Sequence, residues 1–213
     1  MHKPRMVADK GRRKMEKIGK AAAQVFDKIG YLQANLDDVA AAVRMSKGGL
    51  YHYFASKEEI LYFVLDRYMD RVLENLEDSL RALPPESSKL EFIIQRHIRL
   101  YAAHKAESKT LLHDFNCLKK KNRQSIAEKE RRYLAVVEKA LAEYLGDNKR
   151  IDAPEVTTLA FLLFGMCNWC YQWYNPNGPI DSETLSRIIW MVLNRGISAY
   201  PAGGITRISH DNR

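Results

Sequence analysis

Apolar residues recur at helical spacing along nearly the whole chain, and nowhere with the strict alternation of a half-buried strand, so the pattern predicts an all-α protein. Met15, Ile18, Ala22, Val25, Phe26 and Ile29 share one face of a first helix, which Gly30 ends. Asn35 is placed to cap a second helix, with Asp38 in the reciprocal position of a capping box and Leu36, Val39, Ala40 and Val43 as the apolar face. Ser46 caps a third, short helix, in which Leu50 and Phe54 turn inward and Ser46, Lys47, Gly48, Gly49, Tyr51 and His52 stay mostly outside. Ser56, with Glu59 three residues on, opens a fourth helix and leaves Lys57 in its first turn, beside free N–H groups where a phosphate is welcome.

That fourth helix is expected to run unbroken over 56–82, carried by Ile60, Leu61, Val64, Leu65, Tyr68, Val72, Leu73, Leu76 and Leu80 and stopped by Pro84-Pro85. Further helices are predicted over 89–103, 108–118 and 123–145, the last closed by Gly146. Asp152, Pro154 and Glu155 mark another start, and the pattern carries that helix to 174. From Leu159 onward its strongly polar residues are Asn168 and Gln172 only. The run is shorter than the roughly 18 to 20 residues of a membrane span, and those two amides would be costly in lipid. After the turn at 175–179, a last helix over 181–200 presents Leu185, Ile188, Ile189, Val192, Leu193 and Gly196, widened by Trp190 and Met191. Two helices too apolar to face water imply a four-helix bundle with a second copy of the chain, with Leu185, Ile188, Ile189 and Val192 in the seam. The expected organisation is therefore a three-helix head at 1–56, a larger helical body at 57–200 and a loose tail at 201–213.

Charge sharpens this division. The chain carries a formal +8, but residues 1–57 hold 12 Lys or Arg against 5 Asp or Glu, while the remaining 156 hold 22 against 21. A basic head on a neutral body suits a partner bearing phosphates. Two short helices joined by a tight turn, the second with donors and small groups outward, form a helix-turn-helix, which favours duplex DNA over RNA or an anionic membrane. The charged N-terminal stretch lacks the apolar core of a secretory signal, and three cysteines without a disulfide framework agree with a reducing compartment, so a cytoplasmic protein is expected.

Candidate catalytic and metal chemistry is thin. Cys167 and Cys170 have CxxC spacing but lie within a predicted helix without a second ligand pair, which favours buried thiols. His97 and His104 share a face but stand about 10.5 Å apart at 1.5 Å per residue, too far for one zinc. With no nucleophile constellation, phosphate loop or metal set, neither enzyme nor cofactor is expected; an enzyme using a cavity in the body is the alternative. Lys119, Lys120, Lys121 and Arg123 read either as a solvated helix start or as a clamp for an anionic ligand.

Residues 35–57, NLDDVAAAVRMSKGGLYHYFASK, with the Gly30-Tyr31 turn before them, resemble the DNA-binding domain of the TetR family of transcriptional regulators, and SKGGLYHYFASKEEIL is the most specific part. The resemblance covers roughly 10–65. It implies a homodimer that binds a palindromic operator and represses transcription until a small molecule loosens it. It also implies that Tyr51 and Tyr53 lie near bases or phosphates, that Lys47 and Lys57 contact phosphates, and that Ser46, Gly48, Gly49 and His52 complete the reading face. Two departures stand out: Arg44 occupies a turn position usually held by Gly, and Gly49 one that often holds Thr. Members keep a ligand pocket in the body, which points to Tyr101, Phe115, Tyr133 and Asn168 as its lining. The string GMCNWCYQWYNPNG at 165–178 further resembles members that answer acyl-CoA thioesters. An acyl-CoA effector is the expectation, with its phosphates near the basic run at 119–123, and a hydrophobic or aromatic drug-like effector is the alternative.

Overall fold

The computed structural model describes residues 4–146 and 152–198, so the tail expected at 201–213 lies outside the described residues. The helices are α1 (Pro4–Ile29), α2 (Leu36–Ala42), α3 (Lys47–Tyr51), α4 (Lys57–Leu73), α5 (Leu76–Arg81), α6 (Lys89–Ala103), α7 (Lys105–Asp114), α8 (Lys120–Leu145), α9 (Ala153–Asn168), α10 (Cys170–Trp173) and α11 (Ser182–Ser198), with a 3-10 turn at Phe115–Cys117. No strand occurs among the described residues. The fold is all-α.

Two compact units are formed by the described residues, and each is discontinuous in sequence: residues 4–74 with 104–130, and residues 75–103 with 131–146 and 152–198. In the first, α1 packs on α2, α4 and α7, α4 packs on α7, and α3 on α2. Its core joins Ile18, Ala22, Ala23 and Phe26 of α1 to Val39, Leu50, Phe54, Ile60, Leu61, Val64 and Leu65, and Leu118 and Ile126 are buried in the same unit. Helices α1 and α4 approach closely at Gly19, where a Cβ would lie 2.9 Å from the Phe63 ring. Lys129 of α8 fixes α4 by ion pairs to Asp66 at 2.5 Å and Asp70 at 2.6 Å. In the second unit, α6 packs on α9 and α11, burying Leu90, Ile93, Ile94 and Ile98 with Leu159, Leu163, Leu185 and Leu193.

The structure breaks two helices that the apolar pattern carries through. Instead of one helix over 56–82, α4 ends at Leu73, Glu74 turns the chain with ψ 119° and Asn75 adopts the left-handed region at φ 53°. Leu73 and Leu76 fall either side of the break and keep the spacing, which hides it; the local signal is Asn, whose short polar side chain tolerates that backbone. The helix expected over 152–174 divides at Trp169 into α9 and α10. Conversely, α1 begins at Pro4, well before the apolar stripe does, because its first turns are polar and carry no periodic signal.

The turn between α2 and α3 is set by backbone hydrogen bonds. Arg44 N–H donates to the Ala41 carbonyl at 3.1 Å and Met45 N–H to the Ala40 carbonyl at 2.9 Å, the paired bonds of a Schellman motif. Arg44 is its left-handed residue, at φ 53°. The turn therefore keeps its form, and Arg44 bears the strain that a glycine would not. Replacing Arg44 with Gly is expected to raise unfolding free energy by about 1 kcal/mol, the lower end of the left-handed cost for a residue with a Cβ, as read by chemical denaturation.

Candidate nucleic-acid interface and body cluster

Side-chain caps hold the reading helix in place. Asn35 Oδ1 accepts from Asp37 and Asp38 N–H at 2.8 and 3.0 Å while Asn35 N–H donates to Asp38, closing the capping box at the start of α2. Ser46 Oγ accepts from Gly49 N–H at 3.1 Å and starts α3. Leu50 and Phe54 are buried and anchor that helix, whereas Ser46, Lys47, Gly48, Tyr51 and His52 are exposed, with Gly49 and Tyr53 half-buried. A Cβ at Gly48 would meet nothing within 4 Å, so this point on α3 lies open to a close-approaching surface. Lys47 Nζ meets Asp37 at 2.8 Å, which raises the lysine pKa through the hydrogen bond and ties the start of α3 to the start of α2.

Lys57 is placed otherwise than expected. Its ammonium donates to the carbonyls of Tyr31 at 2.8 Å, Leu32 at 3.3 Å and Ala34 at 2.7 Å, and lies 4.4 Å from the centroid of the Tyr31 ring. An ammonium has three N–H donors, and all three have carbonyl partners here. The role expected at a phosphate is corrected: Lys57 fixes the α1–α2 turn against the start of α4. Tyr31 itself is buried, packs edge-on to Phe26 at 5.1 Å and has its pKa pushed up to about 12, chiefly by desolvation. Glu58, beside it, accepts from Lys119 N–H at 3.1 Å and from the Asn122 side chain at 2.9 Å, thereby capping α8. The side chains of Lys119, Lys120, Lys121 and Arg123 are exposed around that start.

In the second unit the structure brings together two of the expected lining residues through a third that sequence reasoning considered only for zinc. His97 Nδ1 lies 3.0 Å from Tyr133 Oη, and His97 Nε2 lies 3.0 Å from Asn168 Oδ1. Phe164 packs beside both rings, with centroids 6.2 Å from His97 and 5.4 Å from Tyr133. Desolvation pulls the His97 pKa down to about 4, partly opposed by the bond to Asn168, so the imidazole is neutral at pH 7. The other expected lining residues lie in different settings. Tyr101 is buried in the core at 1% exposure, and Phe115, with the run 119–123, belongs to the first unit. Within α6, His97 sits among Ile93, Ile94, Ile98 and Tyr101, and a lone imidazole on an apolar face is a signal that polar partners must come from other helices.

The seam residues divide as well. Leu185 and Ile189 are largely buried within their own unit, where α11 packs on α6. Ile188 and Val192 are exposed, as are Met191, Phe161, Leu162, Trp169 and Trp173. A shallow depression of about 510 Å³ lies among Phe161, Leu162, Gly165, Met166, Trp169, Cys170, Trp173 and Ile189. Burial pushes the thiol pKa values of Cys167 and Cys170 up, and among the described residues no group of three or more His, Cys, Asp or Glu could hold a metal. No described helix is long and apolar enough to cross a membrane.

Comparison with known proteins decides the family. Residues 18–62 match the domain "Bacterial regulatory proteins, tetR family", and residues 84–197, more than half the chain, match "Tetracyclin repressor-like, C-terminal domain". The chain belongs to the TetR family. It is thus a helix-turn-helix, DNA-binding transcriptional regulator. The fatty acid metabolism regulator protein of Bacillus subtilis (strain 168) is 26% identical over 191 residues, covering 87% of this chain and 96% of that one. A TetR-family transcriptional regulator from Bordetella parapertussis 12822 superposes with a TM-score of 0.80 at 27% identity, covering 84% and 93%. AibR, in a crystal structure with isovaleryl coenzyme A and operator DNA, gives a TM-score of 0.72 at 26% identity, covering 83% and 96%.

Two outcomes test the placement of side chains in this TetR-family regulator. Lys57→Met should lower stability by about 2 kcal/mol, in the range for hydrogen bonds to a charged group, and weaken operator binding while leaving the salt slope unchanged; loss of a phosphate contact would reduce the slope by about one. For His97, the folded pKa of about 4 lies below the ordinary 6.5, so between these values the unfolded chain holds a proton that the native one lacks. Its contribution is full above pH 6.5 and is lost as pH falls toward 4, by about 3 kcal/mol in all, and His97→Gln should flatten that part of a stability–pH curve.

Proposed function

We propose that this regulator is a homodimeric repressor that holds a palindromic operator through Ser46, Lys47, Gly48, Gly49, Tyr51, His52 and Tyr53 and releases it when an acyl-CoA thioester binds the body. The observation that carries the DNA half is α3, whose apolar anchors are buried while its donors and bare backbone face outward. Such a helix fits the major groove, with Lys47 and the tyrosines available to phosphates and base edges. Half-sites about 34 to 36 Å apart, or a multiple of that, follow from two such heads on one face of the duplex. The exposed apolar residues Phe161, Leu162, Trp169, Trp173, Ile188, Met191 and Val192 support association with a second copy, since so large a patch is unfavourable in water.

Support for the effector comes from the neutral, aromatic-walled His97 cluster and from two relatives, one named for fatty acid metabolism and one crystallised with an acyl-CoA. The aromatic walls equally favour a second reading, a neutral aromatic effector without coenzyme A. A ligand shifts the regulator off DNA only if its affinities for the two states differ. Titrating the operator complex with a panel of acyl-CoAs, their free acids and neutral aromatics, with sedimentation following the stoichiometry, tests the whole proposal. The expected result is two chains per operator and a loss of DNA affinity of about 5- to 150-fold with acyl-CoA. Release by neutral aromatics but no thioester would install the second reading, and release by free acids alone would remove both.

A further inference from the structure

The hydrogen bonds around His97 have a fixed direction. Asn168 presents its carbonyl oxygen to Nε2, and an amide oxygen only accepts, so Nε2 carries the imidazole proton and donates it. Nδ1 is then a bare acceptor, and the Tyr133 hydroxyl donates to it. The chain Tyr133 to His97 to Asn168 therefore runs one way, and it ends on the half-buried Asn168 amide group, whose two N–H donors have no partner among the described residues. His97 is half-buried as a residue, and its imidazole is strongly desolvated. Phe164 and Tyr133 wall the cluster with aromatic surface.

These groups offer donors to a guest but no charge. A carboxylate would leave water without gaining a cation from the hydrogen-bonded cluster, at a high desolvation cost, whereas an uncharged carbonyl gives up little and accepts from an amide. We infer that His97, Tyr133 and Asn168 form the polar subsite of the effector, and that the Asn168 amide donates to an uncharged carbonyl oxygen there, that of a thioester in preference to a carboxylate. This rests on the reading of the body as an acyl-CoA site and adds which part of the ligand is read, and by which residues. His97 and Tyr133 are positioning residues: they hold the Asn168 amide so that its nitrogen, and not its oxygen, meets the guest.

Calorimetric binding to the full chain separates the two levels. Octanoyl-CoA and S-octyl-CoA share the nucleotide and the alkyl chain, but the thioether lacks the carbonyl oxygen. The thioester should bind about 10-fold more tightly, the worth of one desolvated hydrogen bond, and that ratio should fall to near one in Asn168→Ala and in Tyr133→Phe, with circular dichroism confirming that each variant is folded. Equal binding of the two by the native chain, or an undiminished ratio in both variants, would overturn the subsite while leaving an acyl-CoA effector in place. If neither coenzyme A compound bound, the thioester reading would fall and the subsite would be judged with methyl octanoate against octanoate. Preference for the ester that Asn168→Ala abolishes would sustain it, and equal or tighter binding of the carboxylate, or no binding of either, would overturn it.

Discussion

The reading head is organised around one ammonium. Lys57 sits at the first position of α4 and holds the three carbonyls of Tyr31, Leu32 and Ala34, which belong to the turn that delivers the chain into α2. Those carbonyls lie between helices and have no ladder of their own to join, so a cation that satisfies them together fixes the turn's position as well as its shape. The caps at Asn35 and Ser46 then carry that position onward to α3. On the neighbouring residue, Glu58 holds the start of α8, so the first turn of α4 joins the reading helices to the rest of their unit by oppositely charged side chains in sequence.

The second unit follows the opposite electrostatic rule. Its polar cluster is built without formal charge, from an imidazole kept neutral by desolvation, a phenol and an amide. In a medium of low dielectric, neutral hydrogen bonds give direction without the cost of burying an ion, and Phe164 packs beside both rings. A basic head and an uncharged polar cluster in the body are two separate solutions, and the chain's charge distribution already keeps them apart.

What the sequence made legible was local. Asn35, Ser46, Ser56 and Asp152 are all recognisable as caps because the groups that satisfy them lie two or three residues away, and every one of them caps in the structure. The break at Glu74–Asn75 was not legible because a helix and two helices meeting at a left-handed residue share the same apolar spacing when the gap is short. Lys57 was misassigned for a different reason: its partners lie 23 to 26 residues upstream, and a lysine at a helix start looks the same whether it faces phosphate or carbonyls. His97 was missed as a site residue because Tyr133 and Asn168 are 36 and 71 residues distant, and only packing brings them to it.

The interleaving of the two units bears on how such a chain can change over evolutionary time. A recombination joint placed after residue 74 would import α1 to α4 but not the segment 104–130 that supplies α7, Leu118, Ile126 and Lys129 to the same unit. The borrowed head would arrive with an open flank on α1 and two carboxylates, Asp66 and Asp70, without their lysine. If the outer face of α3 reads the operator as proposed, exchange of specificity between relatives is easier by substitution there, where a Cβ at Gly48 would meet nothing within 4 Å, than by swapping the head whole.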